Sequence, residues 1–206
     1  MTQTNSPIIL CSGGFDSLAM VVLAVSQNLH PILLHIKYKH PAAIQELRAV
    51  QRIHSAFAGS CKLYLHDAAI HCNAMDIGAG VEGARIVRGR NLLFLSIAYN
   101  LSSLFDEFRP IGKKGDRRHI WIGCTKEDQN DYTDCRPEFL YKMKLVLGDN
   151  VGIDAPLINR NRSEISAIIP DSLKSMAWSC YQPINGNPCE KCNSCLQYNG
   201  ISITSG

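Results

Sequence analysis

The chain has 206 residues, 46% hydrophobic and 19% charged, with a formal net charge of +3 at pH 7. This is enough apolar material for one α/β core with a small appendage, which excludes both a disordered chain and two full domains. No run approaches the ~18 apolar residues of a membrane span, the N-terminal residues lack the order of a signal peptide, and so small a charge does not make a phosphate-tracking nucleic-acid binder. The expectation is a cytoplasmic protein with no direct nucleic-acid or membrane partner.

Residues 7–11 (PIILC) form a short apolar run suited to a buried parallel strand, ending in Ser12-Gly13-Gly14. A helix is expected at once, with Asp16 and Ser17 in its first turn and Leu18, Val21, Val22 and Val25 on its inner face. Residues 31–36 predict a second strand. Residues 42–57 predict a second helix with Ile44, Leu47, Val50 and Ile53 inward. A short strand over 62–65 precedes an irregular Gly-rich stretch, 78–89. A helix over 91–105, a strand over 120–123 and a helix over 137–147, with Pro137 at its start and Gly148 after its end, complete the alternation. Repeated βα units predict an α/β fold, a doubly wound parallel sheet. Lys113, Lys114, Arg117, Arg118 and His119 read as a solvated surface loop. The core pattern gives way near Ala177, which divides the chain into a main domain over 1–177 and a cysteine-rich segment over 178–206.

A Gly-rich turn between a strand and a helix exposes backbone N–H groups at the positive end of the helix dipole and binds phosphate without Lys or Arg. Ser12-Gly13-Gly14-Phe15-Asp16-Ser17 meets that need, with the Ser12 and Ser17 hydroxyls as added donors. It is neither a Walker A loop nor a dinucleotide G-x-G-x-x-G. The string resembles the S-G-G-x-D-S pyrophosphatase loop of the N-type ATP pyrophosphatases, whose fold is Rossmann-like, of the adenine nucleotide alpha hydrolase type. The resemblance implies ATP as substrate and Ser12, Gly13, Gly14, Asp16 and Ser17 as its ligands, with Leu10, Cys11, Phe15 and Leu18 flanking them and Mg2+ on the leaving pyrophosphate.

Of nine cysteines, Cys180, Cys189, Cys192 and Cys195 crowd into a loop-rich segment with Pro183, Gly186 and Pro188. Four soft ligands at this spacing predict a closed structural Zn2+ site, with an iron–sulfur cluster as the rival.

The loop followed by a four-cysteine site resembles the 7-cyano-7-deazaguanine synthases. Gly89-Arg90-Asn91-Leu92-Leu93-Phe94-Leu95-Ser96 is similar to that family's P-G-R-N-x-x-F-L-S segment. Glu127-Asp128, Tyr132 and Asp134-Cys135-Arg136-Pro137-Glu138-Phe139 resemble its E-D…Y-x-D-C-R-P-E-F block. Ala155-Pro156-Leu157-Ile158 and Trp178-Ser179-Cys180-Tyr181 match further pieces. The resemblance implies an ATP-dependent carbon–nitrogen ligase that converts 7-carboxy-7-deazaguanine, with ammonia, to the nitrile. It implies catalytic roles for Asp16, Ser17, Arg90 and Asp128, the last as a Mg2+ holder. It places Arg90, Asn91, Asp134, Arg136 and Glu138 at the substrate, with Arg90 and Arg136 facing anionic groups and Asp134 and Glu138 accepting from the guanine-like edge. Cys135 reads as a buried structural thiol, and a homodimer is expected.

The chain departs from the family pattern at Arg88, where Pro is usual, at Lys37-Tyr38-Lys39-His40-Pro41, where D-Y-G-Q-x-H is usual, and at Arg162, where T-K-x-E-I has Lys. A second reading therefore keeps the chemistry but stops at the amide or joins the acid to another amine, such as a protein terminus in a phage or antiviral system. A third, of a different class, is a non-catalytic nucleotide- or partner-binding module.

Overall fold

The computed structural model describes residues 6–70, 87, 89–105, 118–148 and 151–198. Most of the Gly-rich stretch, Arg88 and the basic residues Lys113, Lys114 and Arg117 lie outside them. Within them run strands β1 (Ile8–Leu10), β2 (Ile32–Lys37), β3 (Lys62–Asp67), β4 (Arg118–Trp121) and β5 (Val151–Asp154). The helices are α1 (Phe15–Ser26), α2 (Ala43–Ala56), α3 (Arg90–Ser102), α4 (Asp128–Asp131), α5 (Pro137–Leu147), α6 (Arg162–Ile168), α7 (Asp171–Lys174) and α8 (Asn193–Tyr198).

The sheet has the order β3-β2-β1-β4-β5 and every neighbouring pair is parallel. Alternate strand residues feed two cores, as the pleat requires. Ile8, Leu10, Ile32, Leu34, Ile120 and Ile153 pack against Leu95 and Ala98 of α3 and Leu140 and Met143 of α5. Ile9 and Leu33 face the other way, onto α1, Val50 and Ile53 of α2 and Ile165 of α6. Helices on both faces make this the doubly wound sheet expected from the βα alternation. No helix among the described residues is long and apolar enough to cross a membrane.

Three local readings need correction. Arg118 and His119, read as part of a solvated loop, open strand β4, where they pair with Val151 and Gly152. Ile44, expected inward, is 63% exposed, and α2 instead buries Ala49, Val50 and Ile53. Strand β5 was not expected, because Val151-Gly152-Ile153-Asp154 is short and interrupted by glycine. It is nonetheless zipped to β4 from Arg118↔Val151 to Trp121↔Asp154. The chain runs from β1 outward to β2 and β3, then returns beside β1 as β4. The carboxyl ends of β1 and β4 therefore flank the topological switch point, where open α/β sheets place their ligands.

Candidate active site

The turn after β1 is closed by its own hydroxyls. The Ser12 N–H donates to Ser17 Oγ at 3.0 Å, the two hydroxyl oxygens lie 3.2 Å apart, and the Gly14 N–H donates to Ser12 Oγ at 3.4 Å. Gly14 is the N-cap of α1 and offers no side chain to the first-turn N–H groups. Those groups and the helix dipole are thus left for an anion. Leu18 lies in the core beneath the turn rather than on its surface, with no exposure.

Gly13 is fixed by two independent constraints. Its φ is +85°, and a Cβ there would stand 2.8 Å from the Glu46 carbonyl oxygen and 2.9 Å from Ala49 Cβ. Helix α2 therefore packs directly on the turn. Gly13→Ala is expected to cost about 3 kcal/mol of stability through strain and overpacking together, read by chemical denaturation. An unchanged denaturation midpoint would show that the turn and α2 are not tightly docked.

Across the cleft Arg162, the first residue of α6, links the turn to the segment after β4. Its Nη1 donates to Asp16 Oδ1 and Oδ2 at 3.4 and 3.3 Å, and its Nη2 to Asp128 Oδ1 at 2.9 Å. Asp128 is held from behind, because Oδ2 accepts the Thr125 N–H at 3.0 Å. A capping box between Asn161 and Glu164 sets where α6 begins, and the Arg162 N–H donates to Glu127 Oε1 at 3.1 Å. Sequence reading treated Arg162 only as a departure from the family's Lys. The structure puts it between both carboxylates that the pattern had assigned to catalysis.

The opposite wall is aromatic. Tyr38 stacks on His40 with ring centroids 4.4 Å apart and meets Phe94 edge-on at 5.9 Å. Tyr38, Phe94, Tyr132, Tyr181, Arg90 and Glu46 all line the cleft that contains Ser12, Asp16 and Ser17. Desolvation by the cleft walls opposes the charge of Arg90, a residue whose surface is in part exposed, but Tyr38 and Tyr181, a hydrogen bond to Tyr38 and the Glu46 carboxyl outweigh it and hold its pKa above the ordinary value. Desolvation by the cleft walls raises the Tyr181 pKa against the pull of Arg90, although 46% of the residue stays exposed. Burial also pushes Glu46 up to about 7, partly offset by Arg90. His40 is lowered to about 4 by burial and by Arg90 and His35. Both shifts disfavour the charged forms of the two partners, so the contact of 3.5 Å between His40 Nε2 and Glu46 Oε2 is weakened as an ion pair.

The assigned substrate residues separate into two sets. Arg90 and Asn91 line the cleft. Asp134 does not: its Oδ2 accepts the Asn91 N–H at 3.3 Å and its carbonyl accepts Asn91 Nδ2 at 3.1 Å, so it anchors the start of α3. Arg136 donates from Nε to the Gln129 carbonyl at 2.8 Å, and Glu138 is exposed in the first turn of α5. Neither lines the cleft, because the motif they share turns into a helix that leads away from it. The carboxyl that does, Glu46, was missed by the sequence reading, since only the fold of α2 onto the glycine turn brings it there.

The tail forms a wall of the same cleft through Trp178, Ser179, Tyr181 and Ser194. The Trp178 N–H donates to the Gly13 carbonyl at 2.9 Å, and Trp178 Nε1 donates to the Cys180 carbonyl at 2.8 Å. One residue thus ties the glycine turn to the cysteine cluster. The sulfurs of Cys180, Cys189, Cys192 and Cys195 all lie within 4.8 Å of one another. Sulfurs at zinc bond lengths would be about 3.8 Å apart on a tetrahedron, so a small inward adjustment seats the ion. The Cys189 N–H donates to Cys180 Sγ at 3.2 Å and the Cys192 N–H to Cys189 Sγ at 3.3 Å, contacts that favour thiolates. Desolvation works against ionisation of Cys189, but the N–H groups of Lys191 and Cys192 outweigh it and bring its pKa down to about 6. This donor set fits zinc.

Residues 6–200 match the family model described as queuosine biosynthesis protein QueC. Among curated relatives, the chain is similar to 7-cyano-7-deazaguanine synthase of Leptospira biflexa, 27% identical across 95% of this chain and 89% of the relative. The corresponding protein of Leptospira interrogans is 29% identical over 95% and 85% of the two chains. That of Chlorobium phaeobacteroides is 30% identical over 92% and 88%. Among solved structures, a predicted subunit of tRNA methyltransferase from Methanocaldococcus jannaschii superposes with a TM-score of 0.53 at 12% identity, covering 79% of this chain and 73% of that one, which speaks to the fold alone.

Proposed function

Because this chain belongs to the queuosine biosynthesis protein QueC family, we propose that it uses ATP to convert 7-carboxy-7-deazaguanine and ammonia to 7-cyano-7-deazaguanine, releasing AMP and pyrophosphate. A substrate carboxylate oxygen attacks the α-phosphorus of ATP and expels pyrophosphate. Ammonia then attacks the acyl carbon, loses a proton and displaces AMP to leave the amide. A second ATP adenylates the amide oxygen, and loss of AMP and two protons leaves the nitrile. Two ATP molecules are needed because hydroxide and oxide are poor leaving groups, whereas an AMP ester leaves readily.

What supports this reading above all is the meeting of the hydroxyl-closed phosphate turn, Arg90 and an aromatic wall in one cleft. The turn's N–H groups and the Ser12 and Ser17 hydroxyls take the polyphosphate, and positioning supplies much of the rate. Asp16 and Asp128, brought together by the Arg162 guanidinium, are oxygen donors suited to Mg2+. When bound there, the ion would neutralise charge on the departing pyrophosphate. Arg90 orients the substrate carboxylate from the aromatic side. The four cysteines would hold a structural zinc that keeps the Trp178 wall in place.

Incubation with ATP, magnesium, ammonium and the acid, with product mass read directly, tests the whole proposal. The nitrile is the expected product. An amide or an amine conjugate would favour the second reading, which is supported by the divergence of residues 37–40. There Tyr38 lines the cleft while Lys37 is drawn aside to Asp67 at 2.8 Å. Absence of AMP release would leave only a nucleotide- or partner-binding module. Arg90→Ala is expected to lower kcat/KM for the acid about a hundredfold, while ATP affinity changes less than about threefold. Equal loss of ATP affinity would move Arg90 to the nucleotide.

A further inference from the structure

Three carboxyl groups line the cleft among the described residues: Asp16, Asp128 and Glu46. The first two share the Arg162 guanidinium. Glu46 stands on the other side, in the first turn of α2, with its side chain 17% exposed and Oε2 3.5 Å from His40 Nε2. Arg90 is its charged neighbour, and the Tyr38 and Phe94 rings, in edge contact with each other, line the same cleft. The Glu46 backbone packs on the turn at Gly13, while its carboxyl reaches His40 beside the Tyr38 ring, where a negative charge repels polyphosphate and can accept the N–H groups of a heterocycle.

We infer that Glu46 determines specificity for the heterocycle, its two oxygens receiving the ring N–H and the exocyclic N–H of a 2-amino-4-oxopyrimidine edge while Tyr38 and Phe94 hold the ring. The assignment rests on the proposed function and names the residue that reads its substrate. Two adjacent parallel donors match the two oxygens of a carboxylate, which is the strongest neutral-to-charged arrangement available to such an edge. A ring nitrogen bearing a lone pair in the same place would face those oxygens and be repelled, so the site selects by an unmatched polar group rather than by shape. Burial leaves the empty carboxyl near its titration point at about 7. The paired donors supply the contacts that favour its charged form.

The test compares 7-carboxy-7-deazaguanine with its analogue lacking the 2-amino group, using the full-length protein with ATP and ammonium. The wild type is expected to show a KM at least about tenfold higher for the analogue. In Glu46→Gln, KM for the parent acid should rise about a hundredfold and KM for the analogue much less, with KM for ATP little changed. Glu46→Asp should recover part of the loss. Equal KM values for acid and analogue in the wild type overturn the assignment without any variant. So does a Glu46→Gln protein whose loss lies in kcat and the pH profile, since that would mark a proton acceptor for the amine. If the wild type releases no AMP, the proposed reaction falls. Calorimetric titration of the acid into wild type and Glu46→Gln then still reads the assignment, which stands only if the wild type alone binds.

Discussion

Asp16→Ala is expected to reduce AMP formation about a thousandfold, a loss of ~4 kcal/mol of transition-state stabilisation, while shifting the melting temperature by only a few degrees. The asymmetry follows from position. The side chain is 24% exposed at the rim of the phosphate turn, and its Arg162 partner keeps a second carboxylate, Asp128, at 2.9 Å. No buried charge is therefore left unpaired, which is the circumstance that makes deletion of one ion-pair partner costly to the fold. The chemistry has no such reserve. In the proposed site Asp16 would be a Mg2+ donor beside the turn, so its removal would take that donor away and leave Arg162 paired with Asp128 alone. AMP release at saturating ATP, paired with a thermal melt, separates the two effects. Near-normal turnover would remove Asp16 from the nucleotide site, and a collapsed melt would mark it as structural.

The glycine turn was legible because its geometry needs contiguous residues. A strand must end, glycine must adopt φ of +85°, and hydroxyls must stand where Ser12 and Ser17 do. The cysteine cluster was legible for a similar reason, since ligands spaced two residues apart can wrap an ion from one short loop. The rest of the cleft is assembled from distant segments. Tyr38, Glu46, Arg90 and Arg162 meet only because β2, α2, α3 and α6 converge at the carboxyl end of the sheet. Nothing in the local pattern of α2 marks Glu46 as inward. The phase of that helix is set by the close approach of its backbone to Gly13, which is also why Ile44 turns outward. Asp134 shows the opposite case. A carboxylate inside a strongly matching motif was read as a substrate ligand, whereas the start of α3 takes its hydrogen bonds.

Cys192→Ser is expected to release zinc and lower the melting temperature by about 5–10 °C, an effect of roughly 3 kcal/mol for a chain of this size. Among its described residues the tail has almost no other means of holding its shape. Its core consists of Cys180, Cys189 and Cys195 with Trp178 and Cys192 packed against them, while Tyr181, Ile184 and Leu196 are 46%, 52% and 61% exposed. So little apolar burial cannot offset the entropy of ordering the segment, and four thiolate bonds would supply the difference. The consequence for catalysis runs through Trp178, which joins Gly13 on one side and Cys180 on the other. Loosening it removes a wall of the cleft and admits water to the acyl-adenylate, so hydrolysis competes with ammonia and more AMP is released per amide formed. The ratio of AMP to nitrogen-containing product reads this directly, and it separates a leaking cleft from a merely unstable protein, in which both would fall together. Elemental analysis should give one zinc per native chain and far less in the variant. Iron with a visible charge-transfer band, or a native protein that stays metal-free when made with ample zinc, would overturn the assignment.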